Sequence, residues 1–98
     1  MIKYLEKKDN LEELCQKKCL IDFYADWCGP CKIQSKVLDR LEQELDIDII
    51  KVNTDEFRKI ALNYGIMTIP TLMIMENNQI IKKNVGYMNE TEIKEFVK

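Results

Sequence analysis

Residues 19–45 read CLIDFYADWCGPCKIQSKVLDRLEQEL, and three patterns follow one another in this stretch. Cys19–Tyr24 has apolar residues on both faces of an extended chain, which predicts a buried strand. The turn after it carries two cysteines with two residues between them. From Cys31 onward apolar residues recur at helical spacing, which predicts a long amphipathic helix to about Leu45. A strand that leads through a short turn into a helix is typical of α/β proteins.

The rest of the chain extends this pattern in both directions. Upstream, Ile2–Leu5 predicts a short edge strand, and Asp9 or Asn10 is a candidate N-cap for a helix over Leu11–Lys17. Downstream, the pattern predicts a strand at Ile47–Val52 and a helix at Glu56–Tyr64. It then predicts two strands, Thr71–Met75 and Ile80–Val85, on either side of the turn Asn77-Asn78-Gln79, and a last helix at Asn89–Val97. The order β-α-β-α-β-α-β-β-α predicts an α/β fold with a central mixed sheet. About five strands form this sheet, which ends in an antiparallel hairpin and has four helices on its two faces.

Composition restricts the possible functions. The chain has 98 residues, four cysteines, no histidine and a net charge of −2. This length predicts a single domain over residues 1–98. Without histidine there is no Ser-His-Asp triad and no imidazole metal ligand. We expect no nucleic-acid partner, because no basic patch stands out. We expect no membrane association and a cytoplasmic location, because the chain shows neither an apolar run of ~20 residues nor the apolar core of a signal peptide.

The segment Cys28-Gly29-Pro30-Cys31 is the strongest candidate for chemistry. Two intervening residues at a helix start allow the sulfur atoms to meet as a disulfide. Cys28 then lies at the helix N-terminus, where free N–H groups and the helix dipole stabilise a reactive thiolate. The pattern therefore assigns attack to Cys28 and resolution to Cys31. Two packing cysteines, or a zinc site completed by Cys15 and Cys19, are the alternatives, although the C-x3-C-x8-C-x2-C spacing differs from common zinc patterns.

Asp22 is the second candidate, because a carboxylate in an apolar strand is costly unless it is paired or functional. Burial raises the pKa of such a group, so Asp22 is the candidate proton acceptor for the resolving thiol in a chain without histidine. The alternative is a structural carboxylate paired with Lys51 in the neighbouring predicted strand. Pro70 in Ile69-Pro70-Thr71 is compatible with a strand entry, either as an ordinary turn proline or as a cis-proline.

Together these residues resemble the thioredoxin family. The motif Trp27-Cys28-Gly29-Pro30-Cys31-Lys32 is similar to the family's active site, and it follows Asp22-Phe23-Tyr24-Ala25-Asp26 as it does in thioredoxins. Further similar segments, in order along the chain, are Lys51–Asp55, Tyr64–Ile66, Ile69–Leu72 and Val85-Gly86. The resemblance covers essentially the whole chain.

The resemblance implies the thioredoxin fold and a protein dithiol–disulfide oxidoreductase that reduces disulfides in cytosolic proteins. It implies a cis Pro70 beside a redox disulfide between Cys28 and Cys31, a buried Asp22 beneath Cys31, and Lys51 close by. Substrates would dock on an apolar surface, within which the backbone at Ile69 would pair with an extended substrate segment. The implied docking residues are Trp27, Gly29, Pro30, Ile69, Pro70 and Gly86. No cofactor other than the disulfide and no metal is expected.

The expected partners are a separate thioredoxin reductase and disulfide-containing substrate proteins, and the expected oligomeric state is a monomer. Cys15 and Cys19 lie outside the family pattern and are expected to be buried or inert thiols, with a second disulfide as the alternative. Two other functions remain open at this point. One is a binding subunit of the same fold without redox turnover, and the other is an oxidase or isomerase.

Overall fold

The computed structural model describes residues 1–98, and its helices and strands follow the predicted order. The strands are β1 (Ile2–Tyr4), β2 (Cys19–Tyr24), β3 (Asp48–Asn53), β4 (Thr71–Glu76) and β5 (Gln79–Val85). The helices are α1 (Leu11–Leu14), α2 (Gly29–Leu41), α3 (Arg58–Asn63) and α4 (Glu90–Phe96).

The five strands form one mixed sheet in the order β1-β3-β2-β4-β5. β3 runs parallel to both β1 and β2, whereas β4 runs antiparallel to β2 and β5. This confirms the predicted mixed sheet with its closing hairpin. β2 lies at the centre, and its register places Asp22 opposite Lys51 of β3 on one side and opposite Leu72 of β4 on the other.

Two apolar layers cover the sheet, because successive side chains of a strand point to opposite faces. Ile21 and Phe23 of β2 belong to a ten-residue cluster that also contains Leu11 of α1. Leu20 of β2 belongs to a nine-residue cluster on the other face, formed with α2 and α4. Asp22 shares the strand parity of Leu20 and therefore faces the α2 layer, within a fully buried part of the sheet.

Two helices end earlier than predicted. α1 ends at Leu14 instead of Lys17, because the chain turns at Cys15 so that Cys15 and Cys19 both enter the first apolar cluster. Asn10, one of the two predicted caps, accepts a hydrogen bond from the Glu13 N–H at 3.2 Å. α2 ends at Leu41 instead of Leu45. A turn then continues the chain, and Leu45 still packs against the second cluster, which explains the extended apolar periodicity.

The predicted starts of α3 and of the hairpin also shift for local reasons. α3 begins at Arg58 instead of Glu56, because the Asn53 side chain accepts hydrogen bonds from the N–H groups of Asp55 and Glu56. The hairpin turn consists of Asn77 and Asn78, with φ values of 52° and 62°. Asparagine tolerates this left-handed conformation, so a tight turn forms without glycine.

Candidate active site

The two cysteines of the Cys-Gly-Pro-Cys segment lie at the start of α2 and form a disulfide. Cys28 is the N-cap residue, and its Sγ accepts a hydrogen bond from the Cys31 N–H at 3.2 Å. The Cα atoms of Cys28 and Cys31 are 5.2 Å apart. A sulfur at this position faces the free N–H groups of the helix end, which favour negative charge on Cys28 once the disulfide is reduced. Both cysteines are buried, Cys28 slightly less than Cys31.

The segment before β4 lies against this disulfide. The Ile69–Pro70 peptide bond is cis, as the resemblance implies. Ile69 packs against the small cluster of Ala25, Cys28 and Cys31. Its own N–H and C=O make no backbone hydrogen bond, and they remain available to an extended chain laid beside them.

Three elements frame the disulfide on its outer side. Trp27 is 71% exposed, and its indole N–H donates to Asp55 Oδ2 at 2.8 Å. Gly29 and Pro30 are exposed at the start of α2. Gly86 has a φ of +102° and donates its N–H to the Pro70 carbonyl at 2.8 Å, which fixes the end of β5 beside the cis bond. Asp55 was not singled out from the sequence, although it lies within one of the segments that resemble thioredoxins.

Asp22 and Lys51 form a buried ion pair behind the disulfide. Lys51 Nζ lies 3.7 Å from Asp22 Oδ2, and both side chains are at most 2% exposed. This separation is an ion-pair distance but exceeds that of a hydrogen bond. Both carboxylate oxygens of Asp22 lack a hydrogen-bond partner. Burial raises the pKa of Asp22 to about 6, and the nearby Lys51 charge only partly offsets that effect.

A cavity of about 310 Å³ is bordered by Lys51 of this ion pair and by Cys31. It is lined by side chains from β1, β2, α2 and β3, among them Tyr4, Tyr24, Cys31, Ser35 and Lys51. Cys31 and Lys51, the partner of Asp22, therefore border the same space. Ser35 was missed by the sequence analysis. It lies four residues after Cys31, and its hydroxyl accepts a hydrogen bond from Lys51 Nζ.

Cys15 and Cys19 form a second disulfide, with Cα atoms 5.8 Å apart. The expectation of two thiols was therefore wrong, because the early end of α1 brings the two residues within bridging distance. Both are at most 2% exposed. Cys19 begins β2 and Cys28 follows its other end, so a strand roughly 17–20 Å long separates the two disulfides. This separation rules out one zinc site made from all four cysteines, and the structure contains no cluster of potential metal ligands.

A comparison with known families agrees with this arrangement. The family described as Thioredoxin matches residues 2–98. The chain belongs to the thioredoxin family. Among curated relatives, the thioredoxin of Mycoplasmoides gallisepticum is 34% identical over 100 residues, which cover 99% of this chain and 100% of the relative. The thioredoxin of Bacillus subtilis is 39% identical over 80 residues, which cover 80% of this chain and 77% of the relative.

Solved thioredoxin structures share the whole fold. A mutant thioredoxin from Halobacterium salinarum NRC-1 superimposes with a TM-score of 0.89 at 30% sequence identity, covering 98% of this chain and 87% of the other. Reduced Schistosoma mansoni thioredoxin superimposes with a TM-score of 0.88 at 27% identity, covering 98% of this chain and 94% of the other. The predicted thioredoxin fold is confirmed.

Membership in the family establishes the class of reaction. Thioredoxins are protein dithiol–disulfide oxidoreductases that use a redox-active disulfide and no external cofactor, and this chain is an enzyme of that class. Family members work with a reductase and with disulfide-containing proteins. None of the four helices has the length and apolar character needed to cross a membrane. A binding subunit without redox turnover is not favoured, because the cysteine pair is intact.

Proposed function

We propose that this protein reduces disulfides in other proteins, with Cys28 as the attacking residue and Cys31 as the resolving residue. The observation that carries the proposal is the position of Cys28 at the N-cap of α2, where its sulfur accepts the Cys31 N–H. Only the thiolate form of a cysteine attacks a disulfide, and a helix N-terminus stabilises that form. Cys31 lies inside the first turn of α2, and its sulfur is bonded to that of Cys28.

The reaction proceeds in two exchanges. The Cys28 thiolate attacks one sulfur of the substrate disulfide, forms a mixed disulfide and releases the other substrate sulfur as a thiolate. Cys31 then loses its proton to Asp22, and its thiolate attacks Cys28 Sγ. This second attack releases the remaining substrate thiolate and closes the Cys28–Cys31 disulfide. The substrate gains two electrons and takes up two protons from the solvent. The protein loses two electrons, and Asp22 returns the Cys31 proton to the solvent.

Asp22 is the proposed proton acceptor because of its surroundings. A pKa of about 6 allows the carboxyl to exist in both protonation states near neutral pH. Lys51 carries the compensating charge at 3.7 Å. The structural interpretation of the pair predicts no effect of Asp22 on turnover, so kinetics separate the two roles.

Substrates are proposed to dock around the disulfide on Trp27, Gly29, Pro30, Ile69, Pro70 and Gly86. The unpaired backbone groups of Ile69 support strand addition as the mode of docking. Trp27 supplies a large exposed aromatic surface on the other side of the cysteines.

The reducing direction is supported by Gly29-Pro30 between the cysteines, because oxidants and isomerases of this fold usually carry a histidine there. Accessible thiols stay reduced in the cytoplasm, which is the compartment that we propose for this protein. A separate thioredoxin reductase would return the Cys28–Cys31 disulfide to the dithiol. We further propose that residues 1–98 act as a single domain and as a monomer.

The direct test is the reduction of insulin disulfides with dithiothreitol as the electron donor. The protein is expected to accelerate this reaction, and Cys28→Ser is expected to lose the acceleration completely. Full activity of Cys28→Ser would reject Cys28 as the nucleophile. The same assay with Asp22→Asn across pH 5 to 8 tests the proton acceptor, because the wild-type rate should rise through about pH 6 and the variant rate should lack this step.

A further inference from the structure

We propose that Ser35 is a positioning residue for this reaction, because its hydroxyl draws the Lys51 ammonium away from Asp22 and so keeps the carboxyl able to accept the Cys31 proton. This inference rests on the proposed role of Asp22. It concerns a residue that has no place in the Cys-Gly-Pro-Cys motif and that lies one helical turn beyond it.

The hydrogen bonds of Lys51 are the basis of the inference. Its ammonium donates to Ser35 Oγ and lies over the Tyr4 ring at 5.3 Å from the centroid. The same nitrogen is 3.7 Å from Asp22 Oδ2 and makes no hydrogen bond to it. A buried ammonium next to a buried carboxylate would ordinarily donate to it directly, since charge-assisted hydrogen bonds are the stronger ones. Here the serine hydroxyl accepts that hydrogen bond instead.

The fold brings Ser35 of α2 next to Lys51 of β3. Residues four apart lie on the same face of a helix, so Ser35 follows Cys31 along the side of α2 that faces the sheet. Lys51 pairs in register with Asp22 across β3 and β2. Cys31, Ser35 and Lys51 consequently line one cavity, and the Ser35 hydroxyl accepts a hydrogen bond from Lys51 one helical turn after Cys31.

The remaining charged and titratable groups around the cavity do not replace Lys51 as the ion-pair partner of Asp22. They are Tyr4 from β1, Tyr24 from β2, Asp26 from the following turn, and Lys32 from α2. Burial raises the pKa of Tyr24 to about 12, so this phenol stays neutral near pH 7. Lys51 is the only cation that forms an ion pair with Asp22. The position of the Lys51 ammonium therefore controls how strongly the ionised carboxyl is favoured.

The test compares Ser35→Ala with Ser35→Thr. Alanine removes the acceptor and is compatible with a helix, so the ammonium should turn to Asp22 and lower its pKa by about one unit or more. Threonine keeps the hydroxyl and should restore the wild-type pKa. The pKa is read from the carbon-13 shift of the Asp22 carboxyl in the oxidised protein, and the pH profile of insulin reduction is measured on the same variants.

The expected result is an acid shift of the carboxyl titration and of the pH–rate step in Ser35→Ala, with neither shift in Ser35→Thr. An unchanged or raised pKa in Ser35→Ala, or equal shifts in both variants, would overturn the inference. Asp22→Asn separates this failure from that of the proposed function. If that variant keeps the wild-type pH–rate step, Asp22 is not the proton acceptor, whereas the carboxyl titration still reports whether Ser35 controls its pKa.

Discussion

Asp22 and Lys51 face each other across the two central parallel strands, with Oδ2 and Nζ 3.7 Å apart and neither side chain more than 2% exposed. Replacing a buried ion pair by apolar residues is often neutral or stabilising, so stability alone gives little reason for this pair. A functional reason is that Lys51 borders the same cavity as Cys31, so that a carboxyl with a raised pKa is held close to the cavity.

The Asp22 carboxyl makes the stability of the oxidised protein depend on pH. Its pKa is about 6 in the folded protein and about 3.9 in an unfolded chain. Between these values the folded state holds a proton that the unfolded state has lost, so stability falls as the pH rises from 4 to 6. This loss of folding stability is absent below about pH 4 and reaches about 3 kcal/mol above pH 6.

Denaturant unfolding of wild type and Asp22→Asn at several pH values measures this effect. The free energy of unfolding of the variant should gain about 3 kcal/mol relative to wild type between pH 4 and pH 7. Asp39→Asn, at an exposed position of α2, is the control and should show no comparable change. A difference between wild type and Asp22→Asn that stays constant with pH would contradict the raised pKa.

The sequence was sufficient for some features of the fold and site because they depend on local patterns. Strand and helix order followed from the apolar periodicity, and Asp22 was identified because it interrupts an apolar strand. Ser35 and Asp55 were missed because their roles depend on tertiary contacts, one with Lys51 and the other with Trp27.

The Cys15–Cys19 bridge was only the alternative to two free thiols, because its formation depends on where α1 ends. Residues Gln16-Lys17-Lys18 are good helix formers, so local propensity favoured a longer helix. Burial of both cysteines in the first apolar cluster outweighs this preference and ends the helix at Leu14. A difference of three residues at the helix end decides whether the two Cα atoms can approach within bridging distance.

The order of the two exchanges predicts that Cys31→Ser accumulates mixed disulfides. Cys28 would still attack a substrate disulfide, but no second thiol would be present to release the product. Non-reducing mass spectrometry after mixing with oxidised insulin should detect a covalent adduct at Cys28. Cys28→Ser is the matched control and should form none. Equal adduct formation by the two variants would show that the roles are not divided as proposed.

The hydrogen bond between Trp27 and Asp55 predicts an effect on substrate docking. Asp55→Ala removes the acceptor at 2.8 Å and frees the exposed indole. A hydrogen bond contributes about 1 kcal/mol, so KM for insulin should rise roughly fivefold while kcat changes little. Trp27 is the only tryptophan, so its fluorescence reports the changed environment directly. An unchanged KM together with changed fluorescence would show that the orientation of Trp27 does not affect insulin binding.

The second disulfide is expected to stabilise the fold without taking part in catalysis, because it is buried at the far end of β2. Replacing both Cys15 and Cys19 by alanine should lower the free energy of unfolding by about 2 kcal/mol, the entropic value for so short a loop. Insulin reduction at 25 °C should remain at the wild-type rate. A large loss of activity in a folded double variant would instead assign Cys15 and Cys19 a part in electron transfer.

The reduction potential of the Cys28–Cys31 couple tests the central claim most directly. It is measured by equilibration with glutathione buffers in the Cys15→Ala/Cys19→Ala protein, which retains a single redox pair. A reductant should give a potential near −270 mV, a value taken from thioredoxins in general. A potential of about −180 to −120 mV, as in disulfide isomerases and strong oxidants, would contradict the reducing direction.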